Sequence, residues 1–170
     1  MNIVFQTPRL ILRQLTVEDA ALILELNCDP EVVKYLHEPT LHNIADAEKI
    51  ITDIILPQYK NKLGRWAIHT KEDMQFIGWC GLKHRPERDE IDLGYRLKQQ
   101  AWGKGFATEA AKHTLDYGFM ALRLTKITAC AHIENATSYK ILEKIGMKYS
   151  GEGIVDDCPV RTYTMSNPNL

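Results

Sequence analysis

Between Tyr95 and Glu109 the chain reads Tyr-Arg-Leu-Lys-Gln-Gln-Ala-Trp-Gly-Lys-Gly-Phe-Ala-Thr-Glu, a strand-like run that passes through two glycines into a helical one. The first backbone N–H groups of a helix have no partner inside it and carry the positive end of its dipole. Gly103 and Gly105 remove side chains that would hold a polyanion away from those donors, and Lys104 adds a cation beside them. Such a loop suits a phosphate or pyrophosphate. The competing reading is a turn that uses glycine only to reverse the chain. A P-loop is excluded, because Lys104 is followed by Gly105 where that motif needs Ser or Thr. A dinucleotide fingerprint is excluded too, because Thr108 stands where its third glycine belongs.

The remaining reactive side chains are dispersed. Cys28, Cys80, Cys130 and Cys158 form no C-x-x-C pair, and the six histidines lack metal-ligand spacing. Neither a metal centre nor a redox pair is expected. Cys80 and Cys130 lie in apolar strand-like runs, where cysteine behaves as a small hydrophobe.

The elements that must position the loop follow from hydrophobic period. Alternation over 9–14 predicts a strand, and Thr16 caps a helix whose stripe is Ala20, Ile23, Leu24 and Leu26. Asp29-Pro30 predicts a short helix through Tyr35. Ile44, Ala47, Ile50, Ile51, Ile54 and Ile55 predict a helical face over 43–56, stopped by Pro57. Residues 66–70, 76–82 and 90–97 read as strands of an antiparallel meander. After the glycine loop come a helix over 106–122, a strand over 127–131 and a helix over 136–145 ended by Gly146. Two last strands, 147–150 and 160–165, flank a polar loop. The expected fold class is α/β of the α+β type, one domain over 1–170.

Composition agrees. The 170 residues carry 21 basic and 22 acidic side chains, a formal charge of −1, which argues against a broad nucleic-acid surface. With 45% apolar and 25% charged residues the chain is no disordered segment. No apolar run approaches the roughly 20 residues of a membrane span, and the first residues lack a signal-peptide pattern. A cytoplasmic location is expected, with neither nucleic acid nor membrane as partner.

Gln100-x-x-Gly103-x-Gly105-x-Ala107 resembles the Q/R-x-x-G-x-G/A signature of the GNAT superfamily of N-acetyltransferases. The likeness extends over nearly the whole chain. Thr7-x-Arg9-Leu10-x-Leu12-Arg13 with Asp19-Ala20, Trp102 to Glu109, and Asn135-x-x-Ser138-x-x-x-Leu142-Glu-Lys144-x-Gly146-Met147 resemble its RimJ/RimL-like branch, which acetylates ribosomal-protein N-termini. The resemblance implies a mixed, largely antiparallel, V-shaped sheet flanked by helices. Acetyl-CoA, the cosubstrate, would be wedged between strands 90–97 and 126–131. Its pyrophosphate would rest on main-chain groups of Gln100, Gly103, Lys104, Gly105, Phe106, Ala107 and Thr108. Backbone at Arg96 and Leu97 would pair with the pantetheine arm like another strand. A bulge near Gly94-Tyr95 would aim an N–H at the thioester carbonyl, and Asn135 would contact the arm.

The implied reaction is direct attack of a primary amine on the thioester. Many members place a tyrosine where this chain has Leu142; in the RimJ/RimL-like branch Ser138 would instead donate to the departing sulfur. The competing reading of Ser138 is helix capping. Glu90 and Asp92, two apart and so on one strand face, are candidate bases; otherwise they form a solvated edge or a salt bridge. His84 is a weaker alternative. By the same resemblance the acceptor, a protein N-terminus or a small-molecule amine, would lie near elements that carry Tyr35, Leu36, His37, Trp66, Trp79, Asp156 and Asp157; for Tyr35 and Trp66 the favoured reading is core or rim packing, and the competing reading of the two acids is a solvated loop. Monomer and homodimer both stay open. Leu142 and the unassigned base also leave a non-catalytic acyl-CoA-binding or sensing module as an alternative.

Overall fold

Two hydrophobic periods alternate along this chain, so helical stripes must bury against strand faces. A computed structural model describes all 170 residues. Its strands are β1 (Ile3–Gln6), β2 (Leu10–Gln14), β3 (Gly64–Thr70), β4 (Phe76–Arg85), β5 (Glu90–Leu97), β6 (Lys126–His132), β7 (Lys148–Val155) and β8 (Cys158–Ser166). Its helices are α1 (Ala20–Asn27), α2 (Ile44–Ile50), α3 (Leu56–Tyr59), α4 (Phe106–Met120) and α5 (Ala136–Lys144). The strands make one mixed sheet in the order β1-β2-β3-β4-β5-β6-β8-β7, with helices on both faces.

Every neighbouring pair is antiparallel except β5 and β6. The β4–β5 ladder runs unbroken from Gly78↔Leu97 to Arg85↔Glu90, and β6–β8 from Lys126↔Ser166 to His132↔Val160. The parallel pair meets at two rungs alone, Asp92↔Thr128 and Leu93↔Ala129. Beyond them β5 and β6 part, and the sheet opens into the expected V.

On one face α4 and α5 bury Ala110, Ala111, Leu115, Phe119 and Leu142 against Leu12, Trp66, Ile68 and Leu93. On the other, α1 and α2 bury Ala20, Ile23, Leu26 and Ala47 against Ala67, Phe76 and Trp79. Arg13 forks onto both oxygens of Asp19, at 2.7 and 2.8 Å, while Asp19 accepts the Thr16 N–H at 2.8 Å. That fixes the entry of α1 to β2.

Four expectations need correction. Residues 30–36 form two separate turns, not a helix: the Asp29 carbonyl accepts Val32 N–H and its carboxylate Glu31 N–H, the Val33 carbonyl accepts Leu36 N–H, and no helical ladder joins the two. Pro57 does not end the second helix. A π-helical stretch, Ile51–Ile55, precedes it, and the helical course continues through Tyr59. A proline ring clashes with the carbonyl four residues back, and the wider turn makes room for it. Ile44, at the start of α2, and Ile54, within the π-helical stretch, stay exposed, leaving Ala47, Ile51 and Ile55 as the buried face. The polar loop near the C-terminus is a two-residue turn, Asp156-Asp157, both at positive φ. Aspartate tolerates that conformation and lets β7 and β8 run longer than alternation suggested. β1, finally, was not foreseen at all.

Candidate active site

Glycine geometry builds one half of the site. Gly103 and Gly105 adopt φ of +72° and +79°, a region that side chains avoid, and Gly105 is the N-cap of α4. A Cβ on Gly103 would meet no atom within 4 Å, so its open side is a route for a ligand to the backbone. The first turn of α4 closes with Glu109 N–H on the Gly105 carbonyl at 3.0 Å. The six amides from Gly103 to Thr108 donate to no acceptor in the protein. Six consecutive free donors at a positive helix end fit a diphosphate.

A brace holds this cradle. Thr7 Oγ1 donates to Glu109 Oε1 at 2.6 Å, Arg9 N–H to the same oxygen at 2.9 Å, and Arg9 Nε to Oε2 at 2.6 Å. Arg9 Nη1 reaches the Lys104 carbonyl at 2.9 Å, and its guanidinium lies 4.5 Å from the Phe106 ring centre. Burial alone would raise the Glu109 pKa; the donors from Thr7 and Arg9 hold it below the usual carboxylate range. Gln100 and Lys104 are exposed at the loop's rim.

The second half is the opening of the V. Past Leu93 the β5 edge facing β6 has no strand partner. Arg96 and Leu97 contribute backbone there, not side chains. Arg96 turns to the opposite face and donates to Asn27 at 2.6 Å and Glu38 at 3.2 Å. Leu97 is buried, and its carbonyl accepts Trp102 Nε1–H at 3.0 Å. The expected bulge at Gly94-Tyr95 is absent, since both residues pair in register with Gly81 and Cys80. The irregularity lies one strand pair away, between Ile68 and His69, opposite Gly78 at φ +145°.

Tyr95 and Ser138 join the two arms of the V. Their hydroxyls are 2.9 Å apart, and the tyrosine O–H also lies 3.1 Å from the Ser138 carbonyl. Burial raises the Tyr95 pKa, so the phenol stays protonated. Asn135 Oδ1 caps α5 by accepting Ser138 N–H at 3.2 Å, which leaves the serine hydroxyl free of that duty. Leu142 packs in the core. The partnership of Tyr95 was missed from the sequence, although odd-numbered β5 residues share one face with it.

On the sheet face that carries α1 and α2, Glu90 and Asp92 point the same way, as their spacing required. With Arg88, Thr128, Cys130 and Thr162 they line a cavity of about 110 Å³. Both are ion-paired: Glu90 with Arg88 at 3.0 Å, Asp92 with Arg85 Nε at 3.2 Å. Burial pushes the Asp92 pKa up to about 6, against the opposing pull of Arg85. Arg85 also forks onto Asp156 at 3.2 Å, tying the β7–β8 turn over this face. His84 is exposed, beside Asp89. The Tyr35 ring lies 5.4 Å from that of His132, tilted by 35°, while Leu36, His37 and Asp157 are exposed.

Trp66 follows its core-packing reading. It is buried against Phe5 and Tyr117 on the α4 side of the sheet. Trp79 lies on the opposite face, the one that carries α1 and α2, between the guanidinium groups of Arg65 and Arg96 at 4.6 and 5.5 Å. Arg65 went unnoticed, although β3 alternation sets it opposite Trp66.

The model of the "Acetyltransferase (GNAT) domain" matches residues 9–148. The chain belongs to this GNAT family. A Bacillus licheniformis relative named "Uncharacterized N-acetyltransferase p20" is 35% identical over 89% of this chain and 84% of its own. A GNAT-family acetyltransferase structure from Bacillus anthracis superposes with a TM-score of 0.81 at 24% identity, covering 98% of this chain and 99% of the other. Spermidine N-acetyltransferase from Vibrio cholerae, solved with CoA and spermine, gives 0.79 at 21%, covering 95% and 97%. This GNAT chain is thus an acyltransferase, of a family that uses acetyl-CoA. No helix of the enzyme is long and apolar enough to cross a membrane. No group of His, Cys, Asp and Glu is placed to hold a metal ion.

Proposed function

We propose that the enzyme moves the acetyl group of acetyl-CoA to a primary amine by direct attack, in the manner of the RimJ/RimL-like branch. The carrying observation is the run of six free amides, Gly103 to Thr108, at the head of α4 and beside the gap between β5 and β6. Those amides grip the diphosphate, with Lys104 as an added charge, and the braced loop keeps them aligned. The unpaired β5 edge at Arg96-Leu97 takes the extended arm in strand fashion, with Asn135 facing it from the head of α5. Acetyl-CoA supplies the activated acyl group and a thiol leaving group.

The protein's own tasks are then few. Holding both reactants replaces a bimolecular encounter by a high effective molarity. An α-amino group titrates near 8 and a lysine amine near 10.4, so the former needs less help to lose its proton. Asp92, at the last rungs before the V opens and with a pKa of about 6, accepts that proton; Glu90 is the second carboxylate of the cavity. Ser138, backed by Tyr95, donates to the departing sulfur.

Thiol release from acetyl-CoA, measured across N-terminal peptides and small amines, tests this reading. Turnover with at least one class of amine is expected. Firm CoA binding with no release across a broad panel would refute it.

A further inference from the structure

We infer that the amine acceptor carries a carboxylate, and that Arg65 is the residue that reads it. The inference rests on the proposed N-acetyl transfer and names its substrate class. Four arginines stand on or around the acceptor face. Arg85 holds Asp92 and Asp156, Arg88 holds Glu90, and Arg96 holds Glu38 and Asn27. Arg65 forms no ion pair and no side-chain hydrogen bond; its guanidinium lies on the Trp79 ring. Burial and the nearby charges of Arg96 and Arg85 lower its pKa to about 10 despite Glu38 and Asp156, so this cation is under-neutralised. A fork of N–H donors on an aromatic plate is the arrangement that holds a carboxylate in two parallel hydrogen bonds.

Its place in the sheet fits that task. Arg65 pairs with Gly81, and Gly81 with Gly94, the first β5 residue beyond the last rung to β6. Two strand spacings, about 10 Å, therefore separate the Arg65 backbone from the mouth of the V. The Trp79 ring edge would come within 3.4 Å of a Cβ on Gly94, so the plate beneath the guanidinium reaches that mouth. An amine attacking there with its carboxylate a few bonds away reaches Arg65. A free amino acid and a peptide whose first residue is acidic both offer this chemistry. A polyamine instead brings additional cations toward Arg65, Arg85 and Arg96.

Matched acceptors test it: an amino acid against its C-terminal amide, and peptides beginning with Asp against those beginning with Asn. The carboxylate member of at least one pair should be favoured by about tenfold or more in kcat/KM, since a charged donor left unpaired rejects the neutral analogue. The pair that responds tells amino acid from peptide. Arg65→Gln should bring that ratio near one, and Arg65→Lys should restore part of it, with acetyl-CoA titration and melting confirming that each variant folds. Equal use of both members by the parent enzyme, or an unchanged ratio in Arg65→Gln, overturns the inference while leaving N-acetyl transfer intact. No turnover of any amine removes both.

Discussion

Asp92 owes its proposed role to a conflict between burial, which pushes its pKa up to about 6, and Arg85, which pulls it down. A raised carboxylate is protonated below that value and cannot accept the amine's proton. The rate should therefore fall as pH drops through about 6. An acceptor whose amine titrates well below that range isolates the limb from the substrate's own ionisation. Asp92→Asn should remove it and slow turnover by about 10²-fold, a usual share for a general base; a persistent limb would reassign the base. Ser138→Ala and Tyr95→Phe should each lower kcat by roughly tenfold, and the double variant by less than the product, because contacting hydroxyls act as a unit. A Ser138→Ala enzyme of parental rate would place the sulfur's partner elsewhere. Period-two spacing was enough to put Glu90 and Asp92 on one face. It could not say which face of a strand the larger helices cover, which is why two readings of Trp66 stayed open and Arg65 was overlooked.

At the scale of elements, the glycine loop and its brace are the testable unit. A Cβ at Gly103 meets no protein atom within 4 Å, so the main structural cost of Gly103→Val is the positive φ, about 1–2 kcal/mol. Its larger effect should be on CoA, with the dissociation constant rising tenfold or more as the side chain covers the free amides. Unchanged affinity, read by titration, would remove the cradle. Glu109→Gln should loosen the same loop from below. The Glu109 pKa is lowered in the fold, so its contribution to stability is present above the ordinary carboxylate range and lost as pH falls through the lowered value. Melting curves of parent and variant should converge in acid. The loop was legible because helix-start chemistry is local, and so were the strands on either side of it. Thr7, Arg9 and Glu109 were legible only as family letters, for a hydrogen bond spanning 102 residues leaves no local pattern. Pro57 misled for a related reason: the π turn that accommodates it is a tertiary solution, whereas proline's local preference is to stop a helix.

The molecule as a whole is two half-sheets, β1–β5 and β6–β8, joined along the strands by two parallel rungs and closed over by α4 and α5. That weak seam was invisible to periodicity, because the register of two parallel strands separated by a long helix is set by packing, not by neighbouring residues; it entered the sequence reading only through resemblance. On the proposed binding mode a seam of this kind makes acetyl-CoA a structural tie as well as a reactant: one bound molecule would touch the head of α4, the free β5 edge and the head of α5. Binding to the folded state alone stabilises by about 2.7 kcal/mol at a hundredfold excess over Kd. For a chain of this length each kcal/mol raises Tm by roughly 2–4 °C, so saturating CoA should lift the melting point by about 5–10 °C. Hydrogen exchange should slow most along the β5 edge past Leu93 and at the start of α4. Gly105→Val, at the N-cap with φ +79°, should lose both effects together while the β4–β5 and β6–β8 ladders stay protected. A melting point indifferent to CoA, or protection confined to one half-sheet, would mean that the ligand does not span the seam.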